Sequence, residues 1–205
     1  MNDIKRGLMI IISGPSGSGK STVKNELMAL SDNFYFSVSA TTRPQKANET
    51  HGVDYHYLTN EEFQRSVDND EFVEYKMYSG KCYGTLKSEV MENLDKGKDV
   101  ILDVEVKGAL EIIGKYPDAV SIWILPPDYS SLSRRLYKRK RDTAEEIEFR
   151  LEIAKEEIEH FYKYDYIVVN EDGQAAEAAK MIMNIINSEK LKTKRSDNFY
   201  KNFNK

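Results

Sequence analysis

The most constraining feature of this chain is a glycine-rich segment that lies between an apolar run and a helical pattern. It reads Gly14-Pro15-Ser16-Gly17-Ser18-Gly19-Lys20-Ser21 and matches the phosphate-binding loop, in which glycine and four further residues precede Gly-Lys-Ser or Gly-Lys-Thr. Residues 8–12 before it are continuously apolar, as in a strand buried on both faces of a parallel sheet. After it, Val23, Leu27 and Leu30 recur at helical spacing. The motif therefore stands between a strand and a helix, the context that supports it.

The chemistry of this segment predicts a nucleoside triphosphate site. Glycines let successive backbone N–H groups converge on a phosphate at the positive end of the following helix. Lys20 then reaches the β- and γ-phosphates, and the Ser21 hydroxyl helps to hold Mg²⁺. Asp103 ends a second apolar strand, where such enzymes place an acidic group near the metal. We therefore expect a magnesium site at Ser21 and Asp103.

The rest of the chain alternates between apolar strands and helical patterns. Further strands are predicted at residues 34–38, 100–104, 121–125 and 166–170. The clearest helix begins at Thr143, where Thr143 and Glu146 fit a capping box. Its apolar stripe consists of Ile147, Leu151, Ala154, Ile158 and Phe161. Alternating strands and helices favour an α/β fold with a mainly parallel sheet.

Composition excludes several classes of protein. With 30 basic and 34 acidic residues the net charge is −4, which argues against a general nucleic-acid binder. One cysteine cannot form an internal disulfide or a cysteine-based zinc cluster, and three scattered histidines show no metal-ligand spacing. The apolar run at residues 8–12 is too short to span a bilayer. We expect no structural metal and no membrane contact, and a cytoplasmic location follows by default.

Two parts of the chain differ from this α/β pattern. Residues 39–96 are polar, rich in tyrosine and interrupted by glycines, which indicates an inserted small domain. Residues 189–205 form a basic tail, in which fraying is expected from residue 190 onward. A contact between this tail and RNA or an acidic partner is the alternative to a solvated tail.

Seven further stretches make the chain similar to the guanylate kinase family from about residue 7 to residue 188. They match in order and with few length changes: Ile12-Ser13-Gly14-Pro15-Ser16-Gly17, Phe36-Ser37-Val38-Ser39-Ala40-Thr41-Thr42-Arg43, His51-Gly52-Val53-Asp54-Tyr55, Phe72-Val73-Glu74, Tyr83-Gly84-Thr85, Ile101-Leu102-Asp103-Val104-Glu105 and Ile167-Val168-Val169-Asn170. Together these stretches are far more specific than the phosphate-binding loop alone.

The resemblance implies a phosphate-binding-loop core in three layers with a mainly parallel sheet, an inserted GMP-binding subdomain and a mobile lid. The core would comprise residues 7–38, 97–129 and 165–188, the insertion 39–96 and the lid 130–164. The implied reaction is in-line transfer of the ATP γ-phosphate to GMP, with dGMP as a further acceptor, and Mg²⁺ as the metal. The implied partners are ATP and GMP, and homo-oligomerisation is left open.

The resemblance also assigns residues to two sub-sites for GMP. Ser39, Glu74 and Thr85 would read the guanine, whose adjacent N1–H and N2–H can both donate to one carboxylate. Arg43, Lys46, Tyr55 and Tyr83 would bind the phosphate, with no carboxylate competing among them. Glu49 and Asp103 complete the implied GMP-binding set. Without the resemblance, a solvated carboxylate at a strand edge is the preferred interpretation of Glu74.

For ATP and the transferring phosphate, the resemblance implies a further set of residues. The ATP site would comprise residues 14–21 of the loop, with Asn170 and Arg139 beside the adenine. The groups that stabilise charge during transfer would be Lys20, Arg43, Arg135, Arg139 and Arg150.

The chain departs from the family pattern at four positions, which bear on GMP affinity and loop geometry. Lys46 stands where a second arginine is usual, Asn48 where a glycine is usual, Glu105 where an aspartate is usual and Lys107 where a glutamine is usual. Two alternatives to the kinase of GMP remain. One is a related binding module that has lost catalysis, although Lys20, Ser21, Arg43 and Glu74 are present. The other is a kinase of a different nucleotide or of a phosphorylated sugar.

Overall fold

The computed structural model describes residues 6–78, 80–138 and 143–195. Nine strands and seven α-helices lie within these ranges, with two short 3₁₀ turns. The strands are β1 (Met9–Ser13), β2 (Phe34–Phe36), β3 (Ser39–Thr41), β4 (His56–Tyr57), β5 (Phe72–Tyr78), β6 (Lys81–Leu86), β7 (Asp99–Asp103), β8 (Val120–Leu125) and β9 (Tyr166–Val169). The helices are α1 (Lys20–Met28), α2 (Asn60–Asp68), α3 (Lys87–Asp95), α4 (Val106–Lys115), α5 (Tyr129–Lys138), α6 (Ala144–Ile158) and α7 (Ala175–Lys190).

A five-stranded sheet in the order β2-β7-β1-β8-β9 forms the centre of the molecule, and every neighbouring pair in it is parallel. Ile10 and Ile12 face a cluster that includes helices α1 and α7. Ile11 faces the opposite cluster, which includes helices α3 and α4. Helices on both faces explain why the strand is apolar at every position, so the predicted α/β fold is confirmed.

A second sheet of four strands, in the order β4-β3-β6-β5, is built entirely from residues within 39–96. Strand β6 is antiparallel to both β3 and β5. Ala40, Phe63 and Phe72 form a small apolar cluster of their own. Helix α3, also within 39–96, instead packs Val90 and Leu94 against the central sheet.

Glu89 on helix α3 connects the two sheets. Its carboxylate accepts a hydrogen bond from the Val38 backbone N–H at 3.0 Å and lies 2.9 Å from Nε2 of His56. It also accepts from the Tyr35 hydroxyl on β2. The insertion is therefore fastened to the core near the point where the chain enters it.

Helices α5 and α6 form a third apolar cluster, in which Leu132 and Leu136 pack against three residues of α6. The predicted capping box is confirmed: Thr143 Oγ1 accepts from the Glu146 N–H at 3.3 Å and Glu146 Oε2 accepts from the Thr143 N–H at 2.7 Å. The predicted apolar stripe is wrong at its end. Helix α6 stops at Ile158, and Phe161, in the 3₁₀ turn beyond it, is 42% exposed.

The expectation that the chain frays from residue 190 is wrong for residues 190–195. Arg195 donates to the Asp118 backbone carbonyl at 2.9 Å and to the buried Glu189 carboxylate at 3.3 Å. These contacts fasten the end of helix α7 to the core. Among the described residues, no helix has both the length and the apolar character needed to cross a membrane.

Candidate active site

The glycine-rich loop follows strand β1 and leads directly into helix α1. Gly14 has φ +149°, and a Cβ there would lie 2.2 Å from the Ile124 carbonyl oxygen of the neighbouring strand. Gly19 has φ +90°, and its Cβ would lie 2.3 Å from Nδ2 of Asn170. Both positions combine a backbone conformation that favours glycine with a close approach. The loop therefore has the compact, backbone-lined form that phosphate binding requires.

Lys20 begins helix α1 and reaches back over the loop. Its Nζ donates to the Gly14 carbonyl at 2.6 Å and to the Pro15 carbonyl at 3.3 Å. The ammonium thus lies at the mouth of the loop, where the sequence predicts the β- and γ-phosphates. Ser21 follows it in the first turn of the helix and is exposed.

Asp103 ends strand β7, in register with Ile12 at the end of β1. Burial raises the pKa of its carboxyl, while the charges of Lys20 and Lys24 oppose that shift. This places Asp103 within the electrostatic reach of the loop lysine. Its carboxylate and the Ser21 hydroxyl are oxygen donors of the kind that Mg²⁺ prefers. Within the described ranges no group of three or more His, Cys, Asp or Glu residues could hold a metal.

Helix α5 brings Arg135 to the loop and to the end of strand β9. Its guanidinium donates to the Ser18 carbonyl at 3.1 Å and to the Asn170 carbonyl at 2.7 Å. Asn170 is buried, and its own side-chain amide donates to the same Ser18 carbonyl at 2.9 Å. Asp172 also pairs with Arg135, at 2.7 Å. Arg135, predicted to stabilise charge during transfer, and Asn170, predicted beside the adenine, are thus brought together.

Helix α6 covers the loop from another side. The guanidinium of Arg150 lies 3.5 Å from the Ser16 hydroxyl. Glu157 faces the same loop: burial raises the pKa of its carboxyl, while Lys20 and a hydrogen bond with the Ser16 backbone oppose that shift. Arg139 lies outside the described residues.

The sequence reasoning missed Glu157 and Asp172. Glu157 stands seven residues after Arg150, which is two helical turns and hence the same face of the helix. That spacing could have identified Glu157 once Arg150 was assigned. No sequence signal identifies Asp172, which reaches its partner only through the tertiary fold.

Ser39, Glu74 and Thr85 lie in one row across strands β3, β6 and β5. Thr85 pairs with Ser39 on one side and with Glu74 on the other. The Thr85 hydroxyl donates to Glu74 Oε1 at 2.9 Å. Glu74 is only 7% exposed, so the interpretation of it as a solvated carboxylate is wrong. Burial raises the pKa of this carboxyl, against the hydrogen bond from Thr85 and the charge of Lys76.

Two of the residues predicted to bind the GMP phosphate, Arg43 and Lys46, contact a carboxylate. Glu49 pairs with Arg43 at 2.9 Å and accepts from the Lys46 backbone N–H at 3.0 Å. The Tyr57 hydroxyl donates to it at 2.8 Å. Arg43 holds the pKa of Glu49 at about 2, chiefly through their hydrogen bond. The expectation of no carboxylate among these donors is therefore wrong, because Glu49 holds Arg43 in place.

Aromatic rings complete this cluster. The Arg43 guanidinium lies 5.2 Å from the centre of the Tyr55 ring, and the Tyr55 and Tyr83 ring centres are 6.1 Å apart. Tyr57, which the sequence left unassigned, is part of the same cluster through Glu49. The cluster thus brings one guanidinium and several phenol donors to one face of the insertion, while the Lys46 side chain is exposed.

Comparison with known proteins identifies the family. The sequence model of the family described as guanylate kinase matches residues 6–189. A guanylate kinase from Streptococcus agalactiae serotype III is 46% identical over 199 residues, covering 97% of this chain and 94% of the relative. A guanylate kinase from Clostridium tetani is 43% identical over 192 residues, covering 94% and 91%.

Solved structures agree with the sequence relatives. The crystal structure of guanylate kinase from Anaplasma phagocytophilum matches with a TM-score of 0.76 at 33% identity, covering 96% of this chain and 93% of that one. Shikimate kinase from Acinetobacter baumannii, at a TM-score of 0.51 and 17% identity, shares the fold. The chain therefore belongs to the guanylate kinase family, the nucleoside monophosphate kinases that phosphorylate GMP with ATP.

Proposed function

We propose that the two clusters described above are the two halves of one active site, and that Mg²⁺-dependent transfer of the γ-phosphoryl group runs in line from ATP to GMP, giving ADP and GDP. The observation that carries this proposal is the row formed by Ser39, Glu74 and Thr85. A carboxylate accepts two N–H donors, and guanine offers two adjacent ones. Adenine lacks that pair, so the buried Glu74 carboxylate would keep only the hydrogen bond from Thr85, and an unsatisfied buried acceptor is costly.

The triphosphate is held by residues 14–21. Backbone N–H groups of the loop bind the phosphates, Lys20 lies against the β- and γ-phosphates, and Asn170 borders the adenine. Ser21 and Asp103 would hold Mg²⁺, which when bound would neutralise charge on the phosphate oxygens. The charge of Asp103 also acts on Tyr55 of the insertion, and Asp103 is proposed to take part in GMP binding as well.

The acceptor phosphate is held by the insertion. Arg43, Tyr55, Tyr83 and Lys46 donate to the GMP phosphate, with Glu49 orienting Arg43. Because the attacking phosphate oxygen is already anionic, no general base is required. Catalysis then consists of positioning and of neutralising charge on the transferring group.

The arginines of helices α5 and α6 complete the charge neutralisation. Arg135 and Arg150 already contact the loop, and Arg139 is proposed to join them from outside the described residues. Residues 130–164 act as the lid and residues 39–96 as the GMP-binding unit of a domain that spans residues 7–188. Closure of both units excludes water, which competes with GMP as acceptor.

The substrate range and the cellular location also belong to this proposal. dGMP, which the family resemblance implies as a further acceptor, is proposed as a second acceptor. The cytoplasmic location expected from the sequence stays a prediction. A catalytically silent binding module is the second candidate function, and the intact Lys20, Ser21, Arg43 and Glu74 count against it.

The test measures ADP release with ATP and Mg²⁺ while GMP, dGMP, AMP, CMP, UMP and dTMP are offered separately. Turnover with GMP, or with GMP and dGMP alone, is expected, and a Lys20→Ala variant should lose it. Omitting Mg²⁺ should also abolish turnover. Binding of GMP without turnover on any acceptor would instead identify a binding module.

A further inference from the structure

A buried ammonium lies beside the carboxylate proposed to read guanine. Glu74 and Lys76 are two residues apart in strand β5 and so face the same side of the sheet. The Lys76 Nζ atom is shielded from solvent and has no hydrogen-bond partner among the described residues. An unpartnered ammonium is costly to bury, so its position is a feature that the proposed reaction leaves unexplained.

Both charged groups can approach the backbone of helix α4 because Gly108 has no side chain there. A Cβ at that position would lie 2.9 Å from Glu74 Oε2 and 3.1 Å from Lys76 Nζ. Both charged ends therefore lie against the same point of the helix backbone. A larger residue at 108 would displace one or both of them.

Other charged groups surround this pair. Glu105, which precedes helix α4, and Glu111, within it, act on both Glu74 and Lys76, while Lys107 acts on Lys76. From strand β6, Thr85 donates its hydroxyl to Glu74. Burial and the two acidic neighbours raise the pKa of Glu74, whereas Lys76 and Thr85 lower it. Of the groups that act on Glu74 here, Lys76 is the only one that carries a positive charge.

We infer that Lys76 is a positioning residue for specificity, which keeps Glu74 ionised so that the site accepts guanine and rejects adenine. The inference rests on the proposed role of Glu74. An ionised carboxylate only accepts hydrogen bonds and matches the two N–H donors of guanine. A protonated carboxyl presents one donor and one acceptor, a pattern that suits the N1 acceptor and the amino donor of adenine.

The direction of the effect follows from the charges. Without the ammonium, the carboxyl of Glu74 takes up a proton at higher pH, because burial is then opposed only by Thr85. The guanine-binding form is thus lost earlier as pH falls. At alkaline pH the carboxyl is ionised in either case, and the variant should behave like the parent chain.

The experiment measures kcat/KM for GMP and for AMP from pH 5.5 to 9 in the parent chain and in Lys76→Met, Lys76→Gln and Lys76→Arg. Lys76→Met keeps an unbranched side chain of similar length and removes the charge. We expect its kcat/KM for GMP to fall about tenfold at pH 6 and to recover by pH 8.5. The loss should appear in KM more than in kcat, and the preference for GMP over AMP should fall with it.

Three comparisons make the result specific. Lys76→Arg keeps the charge and should restore the parent profile, and Lys76→Gln replaces Lys76→Met if the latter does not fold. Lys81→Met removes an exposed lysine from the neighbouring strand β6 and should change nothing. The GMP phosphate itself titrates near pH 6, but it does so equally in every variant and cancels from the comparison.

The inference is overturned by superimposable profiles, by a loss that is equal at every pH, or by Lys76→Arg behaving as Lys76→Met does. Failure of the proposed function has a different signature, since the parent chain would then show no turnover with GMP at any pH. GMP binding measured by calorimetry at pH 6 and 8.5 gives the same comparison without turnover.

Discussion

The two halves of the proposed site, one for the triphosphate and one for GMP, are built in different ways. The triphosphate half is made of eight consecutive residues, and its form depends on the backbone of Gly14 and Gly19. The GMP half is made of side chains from separate strands, such as Ser39, Glu74 and Thr85. Apart from the side chains of Lys20 and Ser21, a backbone site is sensitive to conformation and tolerant of side-chain chemistry. A site made of side chains is sensitive to their chemistry and more tolerant of small changes in backbone conformation. Substitutions that preserve shape can therefore show which half of the site depends on which property.

The largest effect is expected from an isosteric change in the GMP half. Glu74→Gln replaces one acceptor oxygen by an NH₂ group that faces a guanine donor. We expect kcat/KM for GMP to fall about 10³-fold, because a buried donor pair is left mismatched. Affinity for ATP should be unchanged when measured by calorimetry. The matched control is Glu71→Gln, exposed just before strand β5; an equal loss there would contradict the assignment.

The next effect is expected from adding one methyl group to the loop. Gly19→Ala puts a Cβ at a residue with φ +90° and 2.3 Å from the Asn170 amide. Strain of about 2–3 kcal/mol corresponds to a fall of about 100-fold in kcat/KM for ATP. GMP binding by calorimetry should persist. The control is Gly114→Ala, at a helical glycine with nothing within 4 Å of the added Cβ. It should leave kcat/KM for ATP unchanged.

A smaller effect is expected from the neighbour of Glu74. Thr85→Val keeps the shape of a side chain that is 2% exposed and removes the hydroxyl that donates to the carboxylate. We expect KM for GMP to rise about tenfold, the value of one hydrogen bond to a charged group. The KM for ATP should stay the same, and steady-state kinetics with each substrate varied will show whether it does. A rise in both constants would mean that the two halves are not separable.

The smallest effect is expected from a side chain of the loop itself. Ser18 is fully buried, and its hydroxyl has no hydrogen-bond partner in the part of the chain that the structure describes. Ser18→Ala should change KM for ATP by less than about twofold, and thermal unfolding should show equal or higher stability, since an unsatisfied polar atom is removed. A tenfold loss of ATP affinity would show that this hydroxyl, and not only the backbone, binds phosphate.

This contrast also explains what could be predicted from the sequence. The loop was predictable because its determinants are consecutive and lie between an apolar strand and a helix. The central strands were predictable because burial on both faces leaves an unbroken apolar run such as residues 8–12. Phe161 was assigned to a helical stripe because its spacing is right, but the helix ends three residues earlier.

The GMP half was assigned only through the family resemblance. Nothing in the composition around Glu74 indicates that it is 7% exposed, because its burial comes from packing against Thr85 and helix α4. Glu49 was assigned to the substrate, yet its carboxylate pairs with Arg43 at 2.9 Å and accepts from the Tyr57 hydroxyl at 2.8 Å. The position of Lys76 likewise depends on Gly108 of a helix that follows much later in the chain.

The pairing of strand β2 with β7 has a consequence for how the chain folds. Phe34 lies beside Asp99 in the central sheet, although residues 35–98 intervene. Bringing these strands together costs loop-closure entropy, which grows with the number of intervening residues. When β3 pairs with β6 first, Ser39 and Thr85 are already adjacent, and the effective loop becomes much shorter. We expect the proposed GMP-binding insertion to limit the rate of refolding. Substitutions that loosen its sheet should therefore slow the formation of the core.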